Sequence, residues 1–161
     1  MLLESKAKET TGNLPRIIAT DISPEAVENA HTNAIAAGVA PYIEFKACDF
    51  ADTPVPDVTT RASSLCNDGA SPSGCVFFNP EYGIRLGDPK ELAPVYERIG
   101  TFMNEKCRGW TGALITGNPD LARLVNLYYK TRIPFFNGPI DCRLFLYEGC
   151  ELKGQNVNGN E

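Results

Sequence analysis

Asn79-Pro80-Glu81-Tyr82-Gly83 follows directly on the apolar run Cys75-Val76-Phe77-Phe78, which places an amide, a carbonyl and an aromatic ring at the carboxyl end of a strand. These are the groups needed to methylate an exocyclic nitrogen of a nucleobase. Such a nitrogen is a poor nucleophile, because its lone pair is delocalised into the ring. The Asn79 side-chain oxygen and the Pro80 main-chain carbonyl can each accept one N–H hydrogen, drawing the nitrogen toward a tetrahedral shape with its lone pair aimed at a methyl donor. Tyr82 can stack on the base, a contact worth about 1–3 kcal/mol. That offsets part of the few kcal/mol needed to take a base out of a duplex. The same residues also read as a turn, since Asn-Pro after a strand is common loop punctuation.

The pattern continues in Ile84-Arg85-Leu86-Gly87 and in the later run Phe136-Asn137-Gly138-Pro139-Ile140-Asp141-Cys142-Arg143. From about Arg16 to Glu148 the chain resembles the catalytic half of the ribosomal RNA guanine-N2 methyltransferases, the family whose complete members carry an RNA-binding THUMP domain. The resemblance implies direct displacement at the sulfonium methyl of S-adenosylmethionine, with guanine N2 of large-subunit ribosomal RNA as acceptor. It makes Asn79, Pro80 and Tyr82 the catalytic residues and Asn79 a cofactor contact as well. Arg85 could reach a neighbouring phosphate or simply pair at the surface. Asn137 and Gly138 could shape the base pocket or only form a hairpin turn. The family's common form has a second proline where this chain has Glu81, which adds a carboxylate beside the target nitrogen.

The elements that must position these groups alternate. Arg16 to Thr20 reads as a short buried strand ending at Asp21. Ser23 as N-cap, Pro24 at the first helical position and Gly38 as a stop predict a helix over 24–37, with Val27, Ala30, Ala34 and Ala37 on one face. A second strand spans 42–47, a third 75–78, and a helix over 91–106 carries the stripe Leu92, Val95, Tyr96, Ile99, Phe102, Met103, taken as plain core. A fourth strand covers 111–116, and a short helix opens at Asn118-Pro119-Asp120 and runs to about Asn126. Extended runs from Tyr128 to Phe135 and from Ile140 to Tyr147, joined by Asn137-Gly138-Pro139, predict an antiparallel hairpin. The fold class is therefore α/β: a Rossmann-like class I methyltransferase sheet, truncated at the N-terminus and ending in an antiparallel hairpin. Residues 1–15 read as a leader or residual helix, 16–148 as a partial methyltransferase domain with a flexible loop over 52–73, and 149–161 as a mobile tail.

Asp21 ends one strand just before a helix, where a carboxylate can accept both hydroxyls of a ribose. One strand later, Asp49 could accept from an adenine amino group while the Phe50 main-chain N–H meets a ring nitrogen. Ile22 could pack on the adenine face or serve the core. Either aspartate could also merely favour a helix N-terminus. Residues 1–14 contain only Gly12 and no apolar strand, whereas the family carries an Asp-Pro-x-x-Gly-Ser-Gly-Thr type loop after its first strand. The expectation is that the chain starts inside the domain and that another chain or domain supplies the strand and loop. Cofactor binding by this chain alone is then weak or undetectable.

Composition bounds the alternatives. At 161 residues with 43% hydrophobic content there is room for one globular domain, and no apolar run approaches a membrane span. Six cysteines form no C-x-x-C pair and a single histidine completes no metal set, which points to reduced thiols in the cytoplasm and to no metal. The net charge of −5 argues against general attraction to phosphate. Residues 1–74 carry 5 basic and 10 acidic side chains and 75–150 carry 9 and 8, so the catalytic half is nearly neutral. The rival activities are guanine-N2 methylation of tRNA and adenine-N6 methylation of DNA. From another class comes an inactive fragment that acts only through protein association.

Overall fold

We describe residues 15–56, 74–83 and 89–152 of a computed structural model. The expected leader, most of the 52–73 loop and Arg85 lie outside the described residues. The chain divides into two units, Met1–Pro54 and Val55–Glu161, each taken by itself below.

In the first unit, β1 (Ile17–Asp21) and β2 (Ile43–Ala47) form a parallel pair in the register Ile17–Ile43 to Asp21–Ala47. They are bridged by α1 (Pro24–Ala36), whose Ser23 cap accepts from the Ala26 N–H at 3.2 Å and whose first position is Pro24. Both features match the sequence signals, because a cap and a proline act within one turn of chain. The predicted small-residue face is covered only in part. Ala34 is buried and Val27 half-buried, whereas Ala30 and Ala37 are exposed. The His31 ring meets Phe45 of β2 edge-on at 5.0 Å, and Arg16 and Glu44 form a bidentate ion pair at 2.6 and 2.7 Å.

The second unit holds a four-stranded sheet in the order β3-β4-β6-β5, made of β3 (Cys75–Phe78), β4 (Thr111–Thr116), β5 (Leu127–Asn137) and β6 (Ile140–Leu152). The β3–β4 pair is parallel and the other two are antiparallel. The helix α2 (Pro89–Lys106) buries Leu92, Tyr96, Ile99, Phe102 and Met103, and the short α3 (Pro119–Leu124) is capped by Asn118. Burying each large side chain stabilises the unit by about 1.5–3 kcal/mol. Gly100 lets α2 approach the turn after α3 closely, since a Cβ there would lie 2.0 Å from the Val125 carbonyl oxygen.

The hairpin is longer than expected, because β6 continues through Gly149 to Leu152 and takes up the first residues of the predicted tail. Long-range bonds hold it there: Gly109 N–H donates to the Gly149 carbonyl at 2.8 Å and Asn104 Nδ2 to the Cys150 carbonyl at 3.1 Å. Burial pushes the Cys150 thiol up to about 12 and that of Cys107 to about 11, so both stay protonated and pack as small apolar groups.

Tyr147 is 1% exposed, and among the described residues its hydroxyl has no hydrogen-bond partner. An unsatisfied buried hydroxyl costs stability, so Tyr147→Phe is expected to be neutral or to stabilise by up to about 1 kcal/mol. Burial raises the Tyr147 pKa, so the native state keeps a proton that the unfolded chain releases above about pH 10. Its contribution is complete below that pH and is lost on further alkalinisation, and Tyr147→Phe should flatten that fall. Chemical denaturation at pH 7 and pH 11 measures both effects.

Candidate active site

Two groups of residues stand at carboxyl ends of parallel strands, one in each unit. In the first unit Asp21 closes β1 and Asp49 follows β2. The main chain ties these ends together: Cys48 N–H donates to the Asp21 carbonyl at 2.9 Å, and the Thr20 and Thr53 hydroxyls share a bond of 3.0 Å. Each aspartate uses one oxygen locally. Asp21 Oδ1 accepts from Ser23 N–H at 2.8 Å, and Asp49 Oδ1 from Ala51 N–H at 2.9 Å at the head of a 3-10 turn over Phe50–Asp52. These bonds fix both carboxylates on neighbouring strand ends, with Asp21 exposed and Asp49 and Phe50 half-buried. Ile22 is 75% exposed, which removes the core role read as one option from the sequence and leaves an apolar surface beside Asp21. Two fixed carboxylates, an apolar side chain and a strand-end loop have the donor and acceptor chemistry of an adenosine site.

In the second unit Asn79 is exposed at the end of β3, and Pro80 and Tyr82 are half-buried. Among the described residues no hydrogen bond engages the Asn79 side chain or the Pro80 carbonyl. The next carbonyl, that of Glu81, instead accepts from the Tyr96 hydroxyl of α2 at 3.0 Å. Asn137 Nδ2 donates to the Tyr82 hydroxyl at 3.2 Å, and the buried Cys142 thiol lies 3.9 Å from the same oxygen. Asn137 is thus brought to the loop, where it holds the aromatic ring. Gly138 has φ 61°, the left-handed conformation that the hairpin turn requires.

Two contributors are not evident from the sequence: Tyr96 falls within an apolar stripe, and Thr116 ends a strand. Both are buried, with Tyr96 0% and Thr116 1% exposed, and their oxygens lie 2.9 Å apart. The available signal was a tyrosine, with a hydroxyl to satisfy, on a stripe of otherwise apolar residues. Among the described residues no group of three metal-ligating side chains occurs, and no helix is long and apolar enough to cross a membrane.

The RMKL-like methyltransferase domain family matches residues 1–145. The chain is 32% identical over 130 residues to the ribosomal RNA large subunit methyltransferase K/L of Legionella pneumophila strain Lens, covering 81% of this chain and 16% of that protein. It is 33% identical over 146 residues to the protein of the same name from Chromohalobacter salexigens, covering 89% and 18%. The chain therefore spans less than a fifth of the length of these relatives. Among solved structures, SMU.472, assigned as a methyltransferase and complexed with SAH, superposes with a TM-score of 0.74 at 20% identity, over 97% of this chain and 36% of that one. A possible methylase from Clostridium difficile 630 gives 0.73 at 23% identity, over 99% and 36%. These two likenesses show the mixed α/β fold of class I methyltransferases.

Proposed function

The chain belongs to the RMKL-like methyltransferase domain family, and from that membership we propose that it methylates guanine N2 in large-subunit ribosomal RNA. The observation that carries this reading is the pair of acceptors, Asn79 Oδ1 and the Pro80 carbonyl, that no hydrogen bond engages among the described residues, beside a tyrosine whose hydroxyl is tied back by Asn137. A primary exocyclic amine has two N–H hydrogens, and these acceptors match that number. Engaging both leaves the nitrogen lone pair directed away from the ring, which is the reactive orientation. Tyr82 supplies the stacking face for a base that is unpaired or flipped out. S-adenosylmethionine, when bound, supplies the activated methyl group, with Asp21 taking the ribose hydroxyls, Asp49 and the Phe50 main chain the adenine edge, and Ile22 the adenine face. The names of the relatives support RNA as the substrate, and Arg85 is assigned to a flanking phosphate. The domain proper is assigned to residues 16–148. The glycine-rich loop and its strand are assigned to a further segment or chain.

Methyl transfer from labelled S-adenosylmethionine should be measured on large-subunit ribosomal RNA, tRNA and DNA, with digestion of the product to nucleosides. The expected product is N2-methylguanosine, formed on the ribosomal RNA. Label recovered as N6-methyladenine in DNA, or as N2-methylguanosine in tRNA alone, would overturn the substrate assignment.

A further inference from the structure

Resting on the reading of Asn79 and Pro80 as amine acceptors, we infer that Tyr96 and Thr116 are positioning residues that set the acceptor loop through a partly buried, directional hydrogen-bond chain. The direction follows from counting hydrogens. The Glu81 carbonyl can only accept, so the one hydroxyl hydrogen of Tyr96 goes to it at 3.0 Å. The bond of 2.9 Å between the two hydroxyls is then donated by Thr116 to Tyr96 Oη, in preference to the Asn118 carbonyl, which lies 3.5 Å from the same threonine oxygen. Thr116 Oγ1 in turn accepts from Asn118 N–H at 3.0 Å. The chain therefore runs Asn118 N–H to Thr116 to Tyr96 to the Glu81 carbonyl, and joins the carboxyl ends of β3 and β4 to α2.

Burial pushes the Tyr96 hydroxyl up to about 12, so it remains a donor throughout the neutral range. Its consequence for the site is selective. The loop has consecutive carbonyls at Pro80 and Glu81, and Tyr96 draws the second into the protein while leaving the first open to a ligand. Tyr82, the next residue, is held at its far end by Asn137 at 3.2 Å. The loop is thus anchored at two successive residues immediately after the peptide that carries the acceptor. Loss of the Tyr96 hydroxyl removes the partner that the Glu81 carbonyl has within the protein. The Glu81–Tyr82 peptide can then rotate and take the base-stacking ring with it.

The test compares Tyr96→Phe, Thr116→Val, Thr116→Ser and the core variant Ile99→Val, with Asn79→Ala as the reference for the site. Tyr96→Phe and Thr116→Val are expected to lower kcat about tenfold, the effect of one hydrogen bond, with KM for S-adenosylmethionine within about twofold of the parent. Thr116→Ser, which keeps the hydroxyl, and Ile99→Val, which only loosens the core, should retain kcat. An unchanged kcat in Tyr96→Phe, or an equal loss in Ile99→Val, overturns the positioning role while the site reading stands, provided Asn79→Ala is inactive. Full activity in Asn79→Ala overturns both. Should the parent chain transfer no methyl group, amide hydrogen exchange over residues 79–83 decides: unaltered protection in Tyr96→Phe refutes the anchor.

Discussion

Asn79→Ala is expected to lower methyl transfer by about 10²–10³-fold, the usual cost of removing one positioned group that stabilises developing charge. The methyl substituent keeps the local backbone options of the loop but has no acceptor. One N–H of the amine then keeps its hydrogen in a non-productive direction, and the lone pair stays conjugated with the ring. Because the Asn79 side chain is exposed and unengaged by described residues, its loss should shift unfolding free energy by no more than about 0.5 kcal/mol. That separates chemistry from folding. Asn79→Asp retains an acceptor oxygen at nearly the same reach and should keep more of the rate than alanine does. Single-turnover transfer, with substrates in excess of their KM values, gives the comparison directly. A rate for Asn79→Ala within threefold of the parent would mean that the amine is activated elsewhere.

The second large effect is expected on cofactor binding. Asp21→Ala and Asp49→Ala should each weaken S-adenosylhomocysteine by about tenfold to a hundredfold, since a hydrogen bond to a charged group contributes about 1.5–3 kcal/mol. Each carboxylate also accepts one local N–H, from Ser23 and from Ala51. Alanine therefore removes a turn contact as well as a ligand contact. The asparagine variants distinguish the two, because Asn can keep the local bond while losing the charge and one acceptor. Calorimetric titration of the parent, both alanine variants and both asparagine variants resolves the assignment. Binding lost in alanine and asparagine variants alike assigns the oxygens to the ligand. Binding restored by asparagine would reduce the aspartates to turn-forming residues.

Local signals account for what was legible beforehand. The Ser23 cap and Pro24 start act within a single turn, and the alternation around Gly138 acts within one hairpin, so the helix after Asp21 and the closing β5–β6 pair were readable from the chain. The predicted strand over 75–78 coincides with β3, and so Asn79 stands where the apolar run ends. Legibility failed where a bond partner lies far along the chain. Gly149 and Cys150 read as tail residues because the run from Gly149 onward is rich in Asn and Gly, yet contacts from Asn104 and Gly109 extend β6 through them. Ala30 and Ala37 have helical spacing but no covering element among the described residues of their unit, so periodicity alone overstated the buried face of α1.

The sequence by itself determined which chemical groups stand at strand ends: Asp21, Asp49 and the Asn79-Pro80 acceptors. Strand length, caps and turn residues act over a few positions and are written contiguously. Only the tertiary structure decided how the acceptor loop is held. The Tyr96 hydroxyl reaches a carbonyl 15 residues away, and Asn137 and Cys142 approach Tyr82 across 55 and 60 residues. Such bonds are absent from any local pattern, because folding must first bring α2 and the hairpin against the end of β3. The same contacts decide that the Glu81 carbonyl is engaged by the protein while, among the described residues, that of Pro80 is not.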